Sequence, residues 1–104
     1  METGPNPSLA DLNDAFRRTC TPFVTPGIML LRNVPGLIQT VRAYDDFNSD
    51  NDPYGEHDFG ALAWDSERVY WKIDYYDQTL TYGAEDPLSP DCRRVLTVLL
   101  ASEY

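Results

Sequence analysis

The chain has 104 residues, with 17 Asp and Glu against 8 Lys and Arg, a formal charge of −9, one His and two Cys. That length suits a single compact domain over 1–104, and a content of 42% hydrophobic and 12% aromatic residues is too apolar for a disordered acidic tail. So negative a balance excludes direct docking on nucleic acid or an anionic membrane, which needs clustered cations, and leaves a basic protein as the fitting partner.

Residues 1–7 are polar, with Gly4, Pro5 and Pro7, and are expected to form a flexible lead-in. A first helix follows. Ser8 is its cap, Asp11 completes a capping box, and Leu9, Leu12, Ala15, Phe16 and Thr19 recur at helical spacing. From Thr21 to Leu31 the prolines, Pro26-Gly27 and the flanking apolar residues predict a short strand or extended segment with a turn. A second helix opens at Asn33 or Val34 with Pro35 in its first turn. Leu37, Ile38, Val41 and Tyr44 form its inner face, and it is expected to end near Phe47.

Asn48 to Gly55 is a turn-rich loop of Asx residues, Pro and Gly. Two strands are predicted after it, Asp58–Trp64 and Arg68–Tyr76, joined by the short polar connection Asp65-Ser66-Glu67. In the second strand Val69, Trp71, Ile73 and Tyr75 alternate with Arg68, Tyr70, Lys72, Asp74 and Tyr76, the signature of a sheet with one buried face. In the first strand Leu62 and Trp64 are assigned inward, and Gly60 marks a bulge or a close backbone approach. After a polar loop from Asp77 to Leu88, Ser89 as cap, Pro90, Asp91 and the stripe Cys92, Val95, Leu96, Leu99, Leu100 predict a closing helix. The expected fold is α+β: a small antiparallel sheet, a hairpin plus a possible third strand, covered on one face by about three helices.

The charge is concentrated. From Asp45 to Asp91 there are thirteen acids against two cations, Arg68 and Lys72, whereas both flanks are slightly basic. No basic and apolar leader opens the chain, and no apolar run approaches the roughly 20 residues of a bilayer span, so a cytoplasmic protein is expected. The two cysteines, Cys20 and Cys92, match no zinc spacing and are expected as free thiols. Arg17-Arg18 and Arg93-Arg94 read as solvated helix surface.

The strings Asn51-Asp52-Pro53-Tyr54-Gly55-Glu56-His57-Asp58-Phe59-Gly60 and Trp71-Lys72-Ile73-Asp74-Tyr75-Tyr76-Asp77 resemble the signature of a small uncharacterised bacterial family, a domain of unknown function often found in plasmid- or phage-rich genomes. Leu12 to Arg17 is similar to it as well. The resemblance implies a stand-alone domain in a mobile-element setting and brings no assigned activity, cofactor or catalytic residue.

Three constellations invite a functional reading. The loop from Asp50 alternates oxygen ligands and has Gly55 at position six, but Pro53, Tyr54 and Ala61 stand where a calcium loop needs other residues, so no metal or other cofactor is expected. Glu56, His57 and Asp58, with Asp74, are the one place where imidazole and carboxylates cluster in sequence, and they define the alternative of a small hydrolase-like or metal-dependent enzyme. The leading expectation is a partner-binding face of Tyr54, Tyr70, Asp74, Tyr76, Asp77, Tyr82, Glu85 and Asp86, in which tyrosines supply apolar area and carboxylates pair with Lys or Arg. Such a face suits a non-enzymatic inhibitor that mimics nucleic-acid charge, of the anti-CRISPR kind. A component of a toxin–antitoxin or plasmid-maintenance complex would present a similar acidic interface.

Overall fold

In a computed structural model, which describes residues 7–104, the capping box at Ser8 is complete. The Asp11 N–H donates to Ser8 Oγ at 3.0 Å and the Ser8 N–H to Asp11 Oδ2 at 3.1 Å, satisfying two backbone donors at the start of helix α1 (Leu9–Thr19). The lead-in expected at 1–7 lies, up to residue 6, outside the described residues. The inward stripe of α1 is more polar than its spacing implied. Ala15 and Thr19 face solvent, and Asn13 and Arg17, four residues apart, are both fully buried.

The segment after α1 begins with the expected short strand, β1 (Phe23–Val24), but continues as helix rather than as extended chain. Pro26 opens a four-residue helix, α2 (Pro26–Met29), because its fixed φ fits a first helical position, and the turn buries Ile28 completely. Asn33 then caps helix α3 (Val34–Arg42): it adopts a left-handed conformation, φ 52°, and its Oδ1 accepts the Gly36 N–H at 3.2 Å. This helix stops at Arg42, short of the expected Phe47. The reason is tertiary. Arg17 of α1 donates to the carbonyls of Val41 at 3.0 Å and Tyr44 at 2.7 Å, and the Val41 carbonyl also accepts the Tyr44 N–H at 3.2 Å, so these acceptors are satisfied without a further α-helical turn.

The predicted hairpin is present as β2 (Phe59–Trp64) and β3 (Glu67–Tyr76), paired antiparallel in register from Phe59 opposite Lys72 to Trp64 opposite Glu67. Asp65 and Ser66, both with positive φ, make the two-residue turn whose twist suits such a hairpin. Val69, Trp71 and Ile73 are buried as their alternation implied. Gly60 is not a bulge. It stands directly opposite Trp71, and a Cβ there would enter the indole ring, so glycine is the residue that lets this tryptophan lie against the neighbouring strand.

The closing helix is the expectation that the structure overturns. Ser89 and Asp91 form a turn, and Arg93–Leu100 is a strand, β4, paired over eight residues with β3. Val95, Thr97 and Val98 are β-branched, and Leu96 and Val98 point into the core, so the same apolar run satisfies a strand as well as a helix. The exposed edge of β3 and the parallel partner β1 decide between them. With β1 parallel to β4 at Phe23–Thr97 and Val24–Val98, the sheet is mixed, not purely antiparallel, in the order β1-β4-β3-β2. A short 3₁₀ turn, Ala101–Glu103, ends the chain.

One core joins the elements. Ile28, Leu37, Val41, Val69, Trp71, Ile73, Leu96 and Val98 form it, with Phe16, Cys20, Val24, Leu62 and Trp64 packed at its margin. Burial of each large apolar side chain there contributes roughly 1.5–3 kcal/mol. The residues of alternate parity, Tyr70, Lys72, Asp74 and Tyr76 on β3 and Val95, Thr97 and Leu99 on β4, share the opposite sheet face. Among the described residues no helix is long and apolar enough to cross a membrane.

Candidate functional site

The His57 neighbourhood is built by the loop that enters β2 and by α1. Asp52 Oδ1 accepts the backbone N–H groups of Glu56 at 3.1 Å and His57 at 3.3 Å, a tight local turn that leaves His57 with φ 57°. Its ring stacks on Phe47, centroids 3.8 Å apart. Nδ1 lies 3.0 Å and 3.1 Å from the two carboxylate oxygens of Asp14, and Nε2 lies 3.6 Å from Asp52 Oδ2. Asp14 also pairs with the buried Arg17 at 3.0 Å. The imidazole is therefore held between two carboxylates, and neither is one of those expected beside it.

Asp58 goes elsewhere. It accepts the Tyr75 hydroxyl at 3.2 Å, and that hydroxyl in turn accepts from Asn13 Nδ2 at 2.8 Å. The second Asn13 amide hydrogen goes to the Glu56 carbonyl at 2.9 Å, and Asn13 Oδ1 accepts from Arg94 Nε at 2.7 Å, so this buried amide is fully used. Burial, partly opposed by the Asn13 bond and reinforced by Asp58, pushes the Tyr75 phenol up to about 12. Burial next to Asp58 and Asp52 likewise raises Glu56 above the ordinary carboxylate range. Asp74 stands on the opposite face of the sheet, paired with Lys72 at 3.1 Å. Glu56, His57, Asp58 and Asp74 are thus not brought together. The polar cluster ties α1 to the loop and to the sheet, and Asn13, Asp14 and Arg17, the residues that organise it, look in sequence like ordinary helix surface. Their one legible signal is that Asn13 and Arg17 continue, at four-residue steps, the stripe of α1 that starts at Leu9. Among the described residues no three His, Cys, Asp or Glu side chains are grouped to hold a metal ion.

The acidic residues of the long loop do converge. Asp77, Tyr82, Glu85 and Asp86 line one surface hollow of about 620 Å³, together with Gln78, Asp91 and Cys92. The loop is pinned from within. Asp77 Oδ1 accepts from the Thr79 N–H at 3.1 Å, the Thr79 hydroxyl at 2.8 Å and the Thr81 N–H at 3.1 Å, bonds that hold its carboxyl below the ordinary value. The Asp77 N–H donates to the Tyr82 carbonyl at 2.8 Å, and Tyr76 bridges to Gly83, so the loop folds back on the end of β3. Asp86 accepts the Leu88 N–H, and Asp91 accepts Gln78 Nε2 at 2.9 Å. Tyr82 remains 72% exposed. Asp91 and Cys92 also line the hollow, a role that the pattern of a closing helix conceals.

The remaining candidates lie apart from this hollow. Tyr70, Asp74 and Tyr76 are on the sheet face away from the core, where the strands also carry Arg68, Lys72 and Arg93. Tyr70 packs edge-on against Tyr104 and tilted against Phe59, centroids 5.7 Å and 5.0 Å away. Tyr54 is 84% exposed on the loop before β2. Cys20 and Cys92 are both free thiols, Cys20 half-buried and raised by burial.

No curated protein and no solved structure matches the chain. A family model does match, from Val24 in β1 to Glu103 in the final turn, so that the hairpin, the acidic loop and β4 all fall inside it while α1 precedes it. The chain belongs to the family described as a protein of unknown function, DUF3768, over residues 24–103.

Proposed function

We propose that the protein is a non-enzymatic binding module whose acidic loop occupies a basic surface of a nucleic-acid-binding protein, in the manner of a charge mimic. The observation that carries this reading is the hollow in the loop joining β3 to β4, lined by Asp77, Glu85, Asp86, Asp91 and the exposed Tyr82, where among the described residues no Lys or Arg lines the wall. Carboxylates so placed pair with the side chains that would otherwise grip phosphate, while Tyr82 supplies rigid apolar area and a face for a cation. Because Asp77 is held by three hydrogen bonds of its own loop, its contribution is the loop's shape, and Glu85 and Asp86 are the residues for direct pairing. In its most concrete form the module is an inhibitor of a nucleic-acid-directed defence protein.

The test uses a labelled arginine-rich peptide and two variants of equal net charge, Glu85→Lys with Asp86→Lys, and Asp45→Lys with Asp46→Lys. Binding by fluorescence anisotropy should weaken with salt and drop about tenfold or more in the first variant only. Equal loss in both variants, or binding indifferent to salt, sinks the reading.

A further inference from the structure

The sheet order places β2 at an edge. Edges of natural sheets are normally blunted by charges, proline or a bulge. Phe59-Gly60-Ala61-Leu62-Ala63-Trp64 has no charge and no proline, and it pairs with β3 in six unbroken steps. The direction of its backbone groups follows from the register. The Ile73 N–H donates to the Asp58 carbonyl at 2.8 Å, and Asp58 lies opposite Ile73 in the continued ladder. By alternation Gly60, Leu62 and Trp64 turn their N–H and C=O groups toward β3, whereas Phe59, Ala61 and Ala63 turn theirs outward. Among the described residues no hydrogen bond reaches those three from any other element.

We propose that this edge is a dimerisation surface, occupied by β2 of a second copy running antiparallel across a twofold axis at Ala61. Pairing outward-facing residues with one another sets Ala61 against its own equivalent, Phe59 against Ala63 and Gly60 against Leu62. Large side chains therefore meet small ones and none meets its like, apart from the alanine on the axis. The ends of the strand are complementary in charge. Trp64 Nε1 donates to the Arg32 carbonyl at 2.8 Å, which ties Arg32 to that end of β2, and the Arg32 side chain is 92% exposed, with Asp65 at 4.0 Å as its own ion-pair neighbour. In this register Asp58 lies opposite Trp64 of the second copy. Each dimer thus brings two Arg32 guanidinium groups to two Asp58 carboxylates. Of the thirteen acids between Asp45 and Asp91, Asp77, Glu85, Asp86 and Asp91 lie in the segment joining β3 to β4, the two inner strands, away from this edge. The six from Asp45 to Asp58 precede β2, and their mutual repulsion opposes pairing and is screened by salt. The product is a closed, isologous pair with a continuous eight-stranded sheet whose remaining edges are the two-residue β1 strands.

Sedimentation equilibrium at physiological ionic strength, over a wide range of protein concentration, tests this with the full chain and three variants. Ala61→Pro removes an N–H that faces outward and leaves the ladder to β3 intact. Ala61→Lys places like charges on the axis from a side chain on the open face and serves where the proline variant does not fold. Arg32→Glu opposes Asp58. The wild-type chain should be dimeric, and each variant should self-associate about tenfold or more weakly with an unchanged far-ultraviolet spectrum. A wild-type chain that stays monomeric at millimolar concentration, or a dimer of unchanged affinity in Ala61→Lys, overturns the proposal.

Discussion

The guanidinium of Arg17 sits 4.9 Å from the centre of the Trp71 ring, and neither residue has any exposed surface. The cation is not orphaned. Its N–H groups reach the Val41 and Tyr44 carbonyls and the Asp14 carboxylate, and Phe47 lies 5.6 Å from it. One planar fork therefore caps α3, fixes α1 over the sheet and sustains Asp14 as the partner of His57.

Arg17→Ala is expected to destabilise the fold by roughly 3–5 kcal/mol, because it empties a fully buried site packed on Trp71 and takes the donor from the part-buried Asp14 carboxylate and the Tyr44 carbonyl. Arg17→Lys should recover little of this, since an ammonium cannot reach the three acceptors in the same plane. Urea denaturation of both variants measures the effect. A lysine variant within about 1 kcal/mol of wild type would show that charge, not fork geometry, is what the site needs.

Gly60→Ala should cost about 1–3 kcal/mol by forcing the strand off the Trp71 ring. The cost should shrink when Trp71 is also replaced by Phe, whose smaller ring vacates the space. A double-mutant cycle reads the coupling, and strictly additive losses would refute a direct collision.

Tyr75 links the fold to alkaline pH. Its phenol ionises near 12 in the folded chain against an ordinary value of 10, so the folded state holds the proton more tightly. The resulting stability is complete below pH 10 and is lost as pH rises from 10 toward 12. Tyr75→Phe should be less stable than wild type near neutrality, by about 1–2 kcal/mol for the unpaired Asn13 and Asp58 groups, and the two melting curves should converge in that alkaline window. Absorbance titration should show a tyrosine step displaced well above the ordinary value of 10 that is missing from Tyr75→Phe.

Glu103 links it to acid. Its carboxylate accepts from the Thr25 hydroxyl at 2.6 Å, the Leu100 N–H at 2.8 Å and the Gly27 N–H at 3.2 Å, and these bonds hold it below its ordinary value of 4.5. Stability from this contact is present above 4.5 and disappears as pH falls through the lowered folded value. Glu103→Gln should lower the melting temperature near neutrality and match wild type in strong acid. Hydrogen exchange at Gly27 and Leu100 checks it locally, and protection unchanged by the substitution would dismiss the carboxylate as a staple.

Much of the local structure is readable from contiguous residues. Ser8 with Asp11, Asn33 before Val34-Pro35 and the alternation from Arg68 to Tyr76 are each contiguous patterns, where backbone stereochemistry acts directly, whereas the close approach at Gly60 is legible only as a glycine and its cause is the Trp71 ring across the hairpin. The acidic hollow is half legible. Asp77, Tyr82, Glu85 and Asp86 stand out by charge and residue type, but their separation from Tyr70, Asp74 and Tyr76 depends on a loop that folds back through Asp77.

By itself, then, the sequence determined where the negative charge lies, where helices α1 and α3 begin, and the inward face of the hairpin. Only the tertiary structure decided that Arg93–Leu100 is a strand, that Arg17 is buried and that His57 meets Asp14 and Asp52. The apolar run of β4 satisfies both helical and strand periodicity, and the choice is made by hydrogen bonds to β3 and β1. A buried arginine is likewise costly until distant carbonyls and a carboxylate converge on it, and no local pattern encodes that convergence.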